Sequence, residues 1–246
     1  MPRTPLNGGP DDLRTRPRVT VHFAVTLDGK VSTPKHTPAQ FTSGRDKKRL
    51  LEVRAENDAV MVASGTLKID RMSLGLPDQV LRNERLHRGA SEEPLRVIVS
   101  GSGEIDLDLP IFRNPGAPMV LYTTNRIPAL KRAELEQKVA IYEAGQEQVD
   151  LQFVMNHLFS RYYVRAVVCE GGPTLVRALA EVDLIDRIVL TMAAKLFGGK
   201  SAPTLTGLPG DFLPGSRHFI LVNNEIGDNE FYLTYEHEAC TQRTRL

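Results

Sequence analysis

The sequence predicts an α/β domain built on a mostly parallel sheet, with helices on both faces and an antiparallel hairpin at its C-terminal end. Three observations carry this. Short β-branched runs alternate with amphipathic helical patterns along most of the 246 residues. The central runs are apolar without alternation, as strands covered on both faces should be. The last two runs have no helical pattern between them, which favours a hairpin over a crossover.

The first strand is expected over residues 19–25, before the turn Leu27-Asp28-Gly29-Lys30. A helix follows at Asp46 to Asn57, then a strand at Ala59 to Ala63 ending in the small-residue turn Ser64-Gly65-Thr66. Residues 82–93 (RNERLHRGASEE) are so charged that a solvated loop is expected. Strands at 95–99, 119–123 and 139–142 come next, with a short helix at 128–137. Within 150–162, Leu151, Val154, Met155, Leu158, Phe159 and Tyr162 form one helical stripe. A strand at 164–169 then runs into Gly171-Gly172, and a helix over 173–182 starts at Pro173, a good first helical residue. Strands at 187–192, 219–222 and 230–235 complete the pattern.

The totals restrict function. Lysine plus arginine number 31 against 30 acids, a net charge of +1, so nothing marks a nucleic-acid binder. No apolar run reaches the ~20 residues that span a bilayer. The two cysteines, Cys169 and Cys240, form no metal-ligand pattern and suit a reducing compartment such as the cytoplasm. Residues 1–17 are expected to be a disordered leader, 18–240 one domain, and 241–246 a frayed tail.

Chemistry is expected at the strand ends. Gly171 and Gly172 would let a ligand approach the backbone, and the helix start at Pro173 and Thr174 would favour a phosphate; the same residues would also serve a plain turn. Glu170 stands where a side chain can enter the crevice and accept hydrogen bonds from an amino-substituted ring. Thr66 could donate to a phosphate, and Asp70 could receive a ribose hydroxyl or cap a helix. Ser100 and Gly101 end a third strand. Three such turns suggest one shared cleft. Lys30 could face a polar or anionic substrate group, and Arg54, near the buried side of its helix, needs a partner: a substrate phosphate or an internal carboxylate. The histidines are scattered, with His22 and His157 read as core or interface residues. No nucleophile constellation appears, which fits hydride transfer, where a cofactor supplies the reactive atom.

The motifs Thr26-Leu27-Asp28-Gly29-Lys30, Phe41-Thr42-Ser43, Val53-Arg54-Ala55, Ser64-Gly65-Thr66 with Asp70, Glu170 to Leu175 and Lys195 to Thr204 occur in that order. Together they resemble the riboflavin-biosynthesis pyrimidine reductases: the reductase domain of the bifunctional deaminase/reductase and its stand-alone archaeal and fungal relatives. The resemblance runs from Arg18 to Tyr235. It implies a dihydrofolate-reductase-like fold, NADPH as hydride donor, a homodimer, and reduction of a 5-phosphoribosylamino-pyrimidine to its ribitylamino product. No zinc-binding deaminase sequence precedes the domain, so a reductase alone is expected. The resemblance implies that Thr66, Asp70, Ser100, Gly101, Gly171, Gly172, Pro173 and Thr174 bind the cofactor. Lys30 and Glu170 would serve the pyrimidine as catalytic and binding residues, and Arg54 the substrate phosphate. The chain departs from the pattern at Arg71, where a second Asp is usual, at Pro77, where a basic residue is usual, and at Ser100, where Asp is usual. Arg71 or Arg82 would then replace the phosphate ligand. Another NADPH reductase on the same fold, of pterin or dihydrofolate type, or a non-catalytic nucleotide-binding module would also accommodate these residues.

Overall fold

A computed structural model describes residues 14–32, 41–113, 116–207 and 212–243. The chain order is β1 (Arg18–Thr26), α1 (Gly44–Glu56), β2 (Ala59–Ala63), α2 (Ser64–Asp70), α3 (Gln79–His87), β3 (Leu95–Ser100), α4 (Pro110–Arg113), β4 (Met119–Thr123), α5 (Ala129–Glu136), β5 (Ala140–Glu143), α6 (Leu151–Arg161), β6 (Ala166–Cys169), α7 (Pro173–Glu181), β7 (Arg187–Ala193), β8 (Phe219–Gly227), β9 (Glu230–His237) and α8 (Glu238–Arg243).

All nine strands form one sheet in the order β5-β4-β3-β2-β6-β1-β7-β9-β8. Pairing is parallel from β5 across to β7 and antiparallel at β7–β9 and β9–β8. The expected mostly parallel sheet with a terminal hairpin is therefore present. The hairpin turns at Asp228 and Asn229, both at positive φ (53° and 60°), the backbone that a tight turn between twisted strands requires.

Alternate strand residues feed two cores. Val19, Val21, Met61, Val97, Val167 and Cys169 pack with α6 and α7 through Leu151, Val154, Leu158, Val176 and Leu179. Val60, Val62, Ile98 and Leu121 pack on the other face with Val53 of α1, Leu67 of α2 and Leu135 of α5. The apolar stripe read over 150–162 is the buried face of α6, which Asp150 caps through Gln152 N and Phe153 N.

Two expectations need correction. The charged stretch 82–93 is not all loop. Asp78 accepts from Val80 N and Leu81 N and starts α3, which runs to His87. Charge hid this helix because Arg85, only 1% exposed, is buried for its hydrogen bonds rather than its apolarity. It donates to the carbonyls of Ala55 (2.8 Å) and Asn57 (2.5 Å) at the end of α1, and to Ser91 O (2.9 Å). Ser64-Gly65-Thr66 is the first turn of α2 rather than a free turn. Residues 14–17, expected within the leader, are described, and Arg16 grips Asp186 with both Nη atoms at 2.6 and 3.0 Å; residues 1–13 lie outside the described residues. Residues 241–243, expected within the tail, belong to α8; residues 244–246 lie outside the described residues.

Arg85→Met should lower unfolding stability by about 3 kcal/mol, because Asn57 O and Ser91 O lose the guanidinium that bonds them, while Ala55 O keeps Arg88 Nη2 at 2.7 Å. Urea denaturation of both proteins checks this.

Candidate active site

Strands β1, β2, β3, β4 and β6 are parallel, so their C-terminal ends lie along one edge of the sheet, where loops rather than strands must satisfy the chain. A cavity of about 1080 Å³ opens there. Near its middle, β6 ends and Glu170 N bonds Met61 O at 3.0 Å, while Ala63 N bonds Gly171 O at 2.9 Å. Gly171 has φ +117°, a backbone that side chains disfavour. A Cβ on Gly172 would collide with Thr66 Oγ1, so both glycines are needed for β6 to pass so close to α2. Helix α7 then begins with Pro173 at its first turn and no side-chain cap, leaving its positive end open to the cavity.

The floor is electrostatic. Glu170 projects from the end of β6 and Arg54 from α1, and they meet in a two-pronged pair, Nε–Oε1 2.6 Å and Nη2–Oε2 2.7 Å. Arg54 Nη1 also donates to Gly75 O at 2.7 Å. Both side chains are buried. Burial works against the guanidinium charge, but the adjacent Glu170 carboxylate outweighs it and holds Arg54 above its ordinary value. His22, from β1, shares this wall. Burial, opposed by the Glu170 charge, lowers its imidazole from 6.5 to about 4, so the ring is neutral at pH 7. Its Nε2 and Asp46 Oδ1 are buried without a hydrogen-bond partner among the described residues, and both residues line the cavity. Asp70 borders the same space, where desolvation by the walls raises its carboxyl.

The structure brings together all eight residues expected to hold a cofactor. Thr66, Asp70, Ser100, Gly101, Gly171, Gly172, Pro173 and Thr174 all line the cavity, as does Glu170. Two residues expected at the substrate, Lys30 and Arg54, are placed otherwise than along the cavity wall. Lys30 is not among the lining residues; its neighbours Val31 and Ser32 are. The turn explains this: Thr26 N bonds Lys30 O (2.9 Å) and Lys30 N bonds Thr26 Oγ1 (3.0 Å), and the lysine Nζ lies 3.5 Å from Ala202 O. Asp28 fixes the same turn by accepting from Thr26 Oγ1, Phe197 N and Gly198 N, and the threonine hydroxyl, with those amides, holds its carboxyl down at about 2. Arg54 does not present a free guanidinium to a phosphate, because an internal carboxylate and a carbonyl occupy it. Of the substitutes, Arg82 donates to Gln79 Oε1 at 2.6 Å and lies 3.5 Å from Glu92, while Arg71 is exposed just beyond Asp70.

Sequence reasoning missed His22, Asp46 and Arg126 as cavity walls. His22 had a usable signal, since Thr20, His22 and Thr26 give one face of an otherwise apolar strand a polar character. Asp46 was masked by position, three residues after the helix cap Ser43, whose Oγ accepts from Asp46 N at 3.3 Å.

The RibD C-terminal domain model matches residues 17–218. The chain belongs to this family. Among its relatives, the 2,5-diamino-6-ribosylamino-4(3H)-pyrimidinone 5′-phosphate reductase of Archaeoglobus fulgidus is 31% identical over 191 residues, covering 77% of this chain and 86% of the relative. The protein of the same name from Methanothermobacter thermautotrophicus is 31% identical over 192 residues, covering 77% and 83%. A solved pyrimidine reductase-like protein of Corynebacterium diphtheriae superposes with a TM-score of 0.77 at 19% identity, covering 90% of this chain and 92% of that one, a likeness of fold. Among the described residues no group of His, Cys, Asp and Glu could hold a metal ion, and no helix is long and apolar enough to cross a membrane.

Two outcomes follow for this RibD-type site. Arg54→Leu should destabilise the fold by about 3–5 kcal/mol, because Glu170 is left as an uncompensated buried charge; the double variant Arg54→Leu/Glu170→Leu should recover much of that loss in the same urea titration. His22 is protonated more readily in the unfolded chain, so its contribution is complete above pH 6.5 and is lost as pH falls towards 4. The stability difference between wild type and His22→Asn should therefore change by roughly 3 kcal/mol between about pH 7 and pH 4.

Proposed function

We propose that this chain reduces the phosphoribosylamino group of a pyrimidine to the ribitylamino form in riboflavin biosynthesis, with NADPH as the donor. The observation that carries this reading is the meeting of two features at one strand end. At Gly172 a Cβ would strike Thr66 Oγ1 and Gly171 holds a φ of +117° that side chains disfavour, so the turn is a bare-backbone cradle, and the next residue upstream is a carboxylate fixed by a buried arginine. A dinucleotide fits the first feature and an amino-substituted ring the second. The names of the archaeal relatives supply the substrate class.

In this reading Gly171 and Gly172 admit the pyrophosphate and the open end of α7 at Pro173 and Thr174 meets its charge. Thr66, Asp70, Ser100 and Gly101 complete the groove. NADPH, when bound, supplies the hydride that reduces C1′ of the opened sugar. Glu170 accepts hydrogen bonds from ring N–H groups with lone pairs that Arg54 does not use. Arg54 is a positioning residue, holding the Glu170 carboxylate by two hydrogen bonds and aimed into the cavity. His22, neutral and with Nε2 unpartnered among the described residues, is available to the ring from the β1 side. The proton for the opening sugar comes from water.

The homodimer implied by the resemblance has a natural surface in β8, an edge strand whose Ile220, Leu221, Val222 and Ile226 are exposed. Cys169 is buried and Cys240 Sγ donates to Asp186 Oδ1 at 3.4 Å, an arrangement in keeping with a reducing, cytoplasmic setting.

The test is oxidation of NADPH by purified protein supplied with the diamino or the deaminated phosphoribosylamino-pyrimidine. Turnover of one of them is expected; failure with both, alongside turnover of dihydrofolate, would overturn the reading. Glu170→Gln should lower kcat/KM about 10- to 100-fold, the worth of one charge-assisted hydrogen bond, while NADPH affinity measured by fluorescence stays unchanged.

A further inference from the structure

We propose that Arg126 is the residue that makes the cofactor groove select a 2′-phosphorylated dinucleotide over its unphosphorylated counterpart. This rests on the dinucleotide reading above and names the part of the site that reads the adenosine ribose.

The strand order sets the positions. The glycine cradle closes the gap between β6 and β2, and Ser100 and Gly101 end the next strand, β3. Beyond it, β4 ends at Thr123, and Arg126 stands three residues on. At ~4.8 Å per strand, the end of β4 lies ~10 Å from that of β2, the span of an adenosine ribose laid outward from a pyrophosphate. Among the described residues that line the cavity, only Arg126 and Arg177 carry positive charge.

Arg126 is held in place without being used up. Thr124 Oγ1 donates to Gly101 O at 2.5 Å, which ties the β4 turn to the β3 turn. The guanidinium stands over Gly101, where a Cβ would lie 3.6 Å from Nη2. Nη2 donates to Glu147 O at 2.6 Å and Nη1 to Glu147 Oε2 at 3.2 Å. The carbonyl contact depends on a tight turn at Gly145 (φ +127°), where a Cβ would strike Gln148 O. The carboxylate contact is different in kind. Its side chains are 52% and 84% exposed, so the ion pair is weak and a phosphate can displace it. A guanidinium anchored by one carbonyl, whose other contact is a solvent-exposed carboxylate, can turn its N–H groups to a phosphate.

At the end of β3, Ser100 is buried and uncharged, with Oγ accepting from Gly103 N at 3.1 Å, so it holds the turn on which Arg126 rests. Arg177 is the weaker candidate: it sits one turn into α7, bound at 2.8 Å to Glu181 of the same helix.

The experiment is equilibrium binding without substrate. NADPH and NADH are titrated by their fluorescence onto wild type, Arg126→Gln and Arg177→Gln, and adenosine 2′,5′-bisphosphate is used as a competitor. Circular dichroism checks that each variant is folded. Wild type should prefer NADPH, Arg126→Gln should weaken NADPH about 10- to 100-fold with NADH unchanged, and the bisphosphate should lose its competition in that variant. An unchanged NADPH-to-NADH ratio in Arg126→Gln, or a shift in Arg177→Gln instead, would overturn the assignment while leaving the dinucleotide reading intact. Wild type that binds neither dinucleotide would overturn both.

Discussion

The pair between Arg54 and Glu170 is the constraint on which the site depends. It joins the helix after the first strand to the end of the central strand β6, through two hydrogen bonds in a place that excludes water. Neither charge would be tolerated there alone. Because the arginine also holds Gly75 O, the same guanidinium fixes the segment between α2 and α3. One side chain thus sets the relative positions of three stretches of chain that border the cavity.

Around that pair the site divides by what each wall must do. The wall formed by the ends of β2, β3 and β6 is backbone and small side chains, suited to a ligand whose charge lies on phosphates. The wall formed by β1 and α1 carries His22 and Asp46, whose Nε2 and Oδ1 have no hydrogen-bond partner among the described residues. Buried polar atoms cost free energy unless something bonds them, so this wall is built for an occupant with donors and acceptors. The Gly171–Gly172 turn lies between the two and lets one ligand face the other.

Much of this was legible in the chain. Apolar strands, the hairpin without a helix and the glycine turn at β6 follow from period and composition, which local physics fixes. The residues gathered at the cavity were readable because strand ends in a parallel sheet share an edge. Side-chain direction was not. Lys30 belongs to the same tight turn that suggested it, yet the hydrogen bonds of that turn carry it towards Ala202. Arg85 looked like part of a solvated run because its partners are backbone carbonyls, which leave no trace in sequence. Arg54 was ambiguous for a related reason, since a substrate phosphate and an internal carboxylate pose the same demand, and only the fold shows which one is near.

The order of strands has a consequence for how the molecule comes into being. The first strand lies between β6 and β7, whose residues are made more than a hundred positions later. Ser43, the residue that starts α1, bonds Glu230 of β9 through both its amide and its hydroxyl. During synthesis β1 must therefore wait, apolar and unpaired, until β6 and β7 have left the ribosome. The centre of the sheet cannot close before then, and the nascent chain is most exposed to aggregation in that interval.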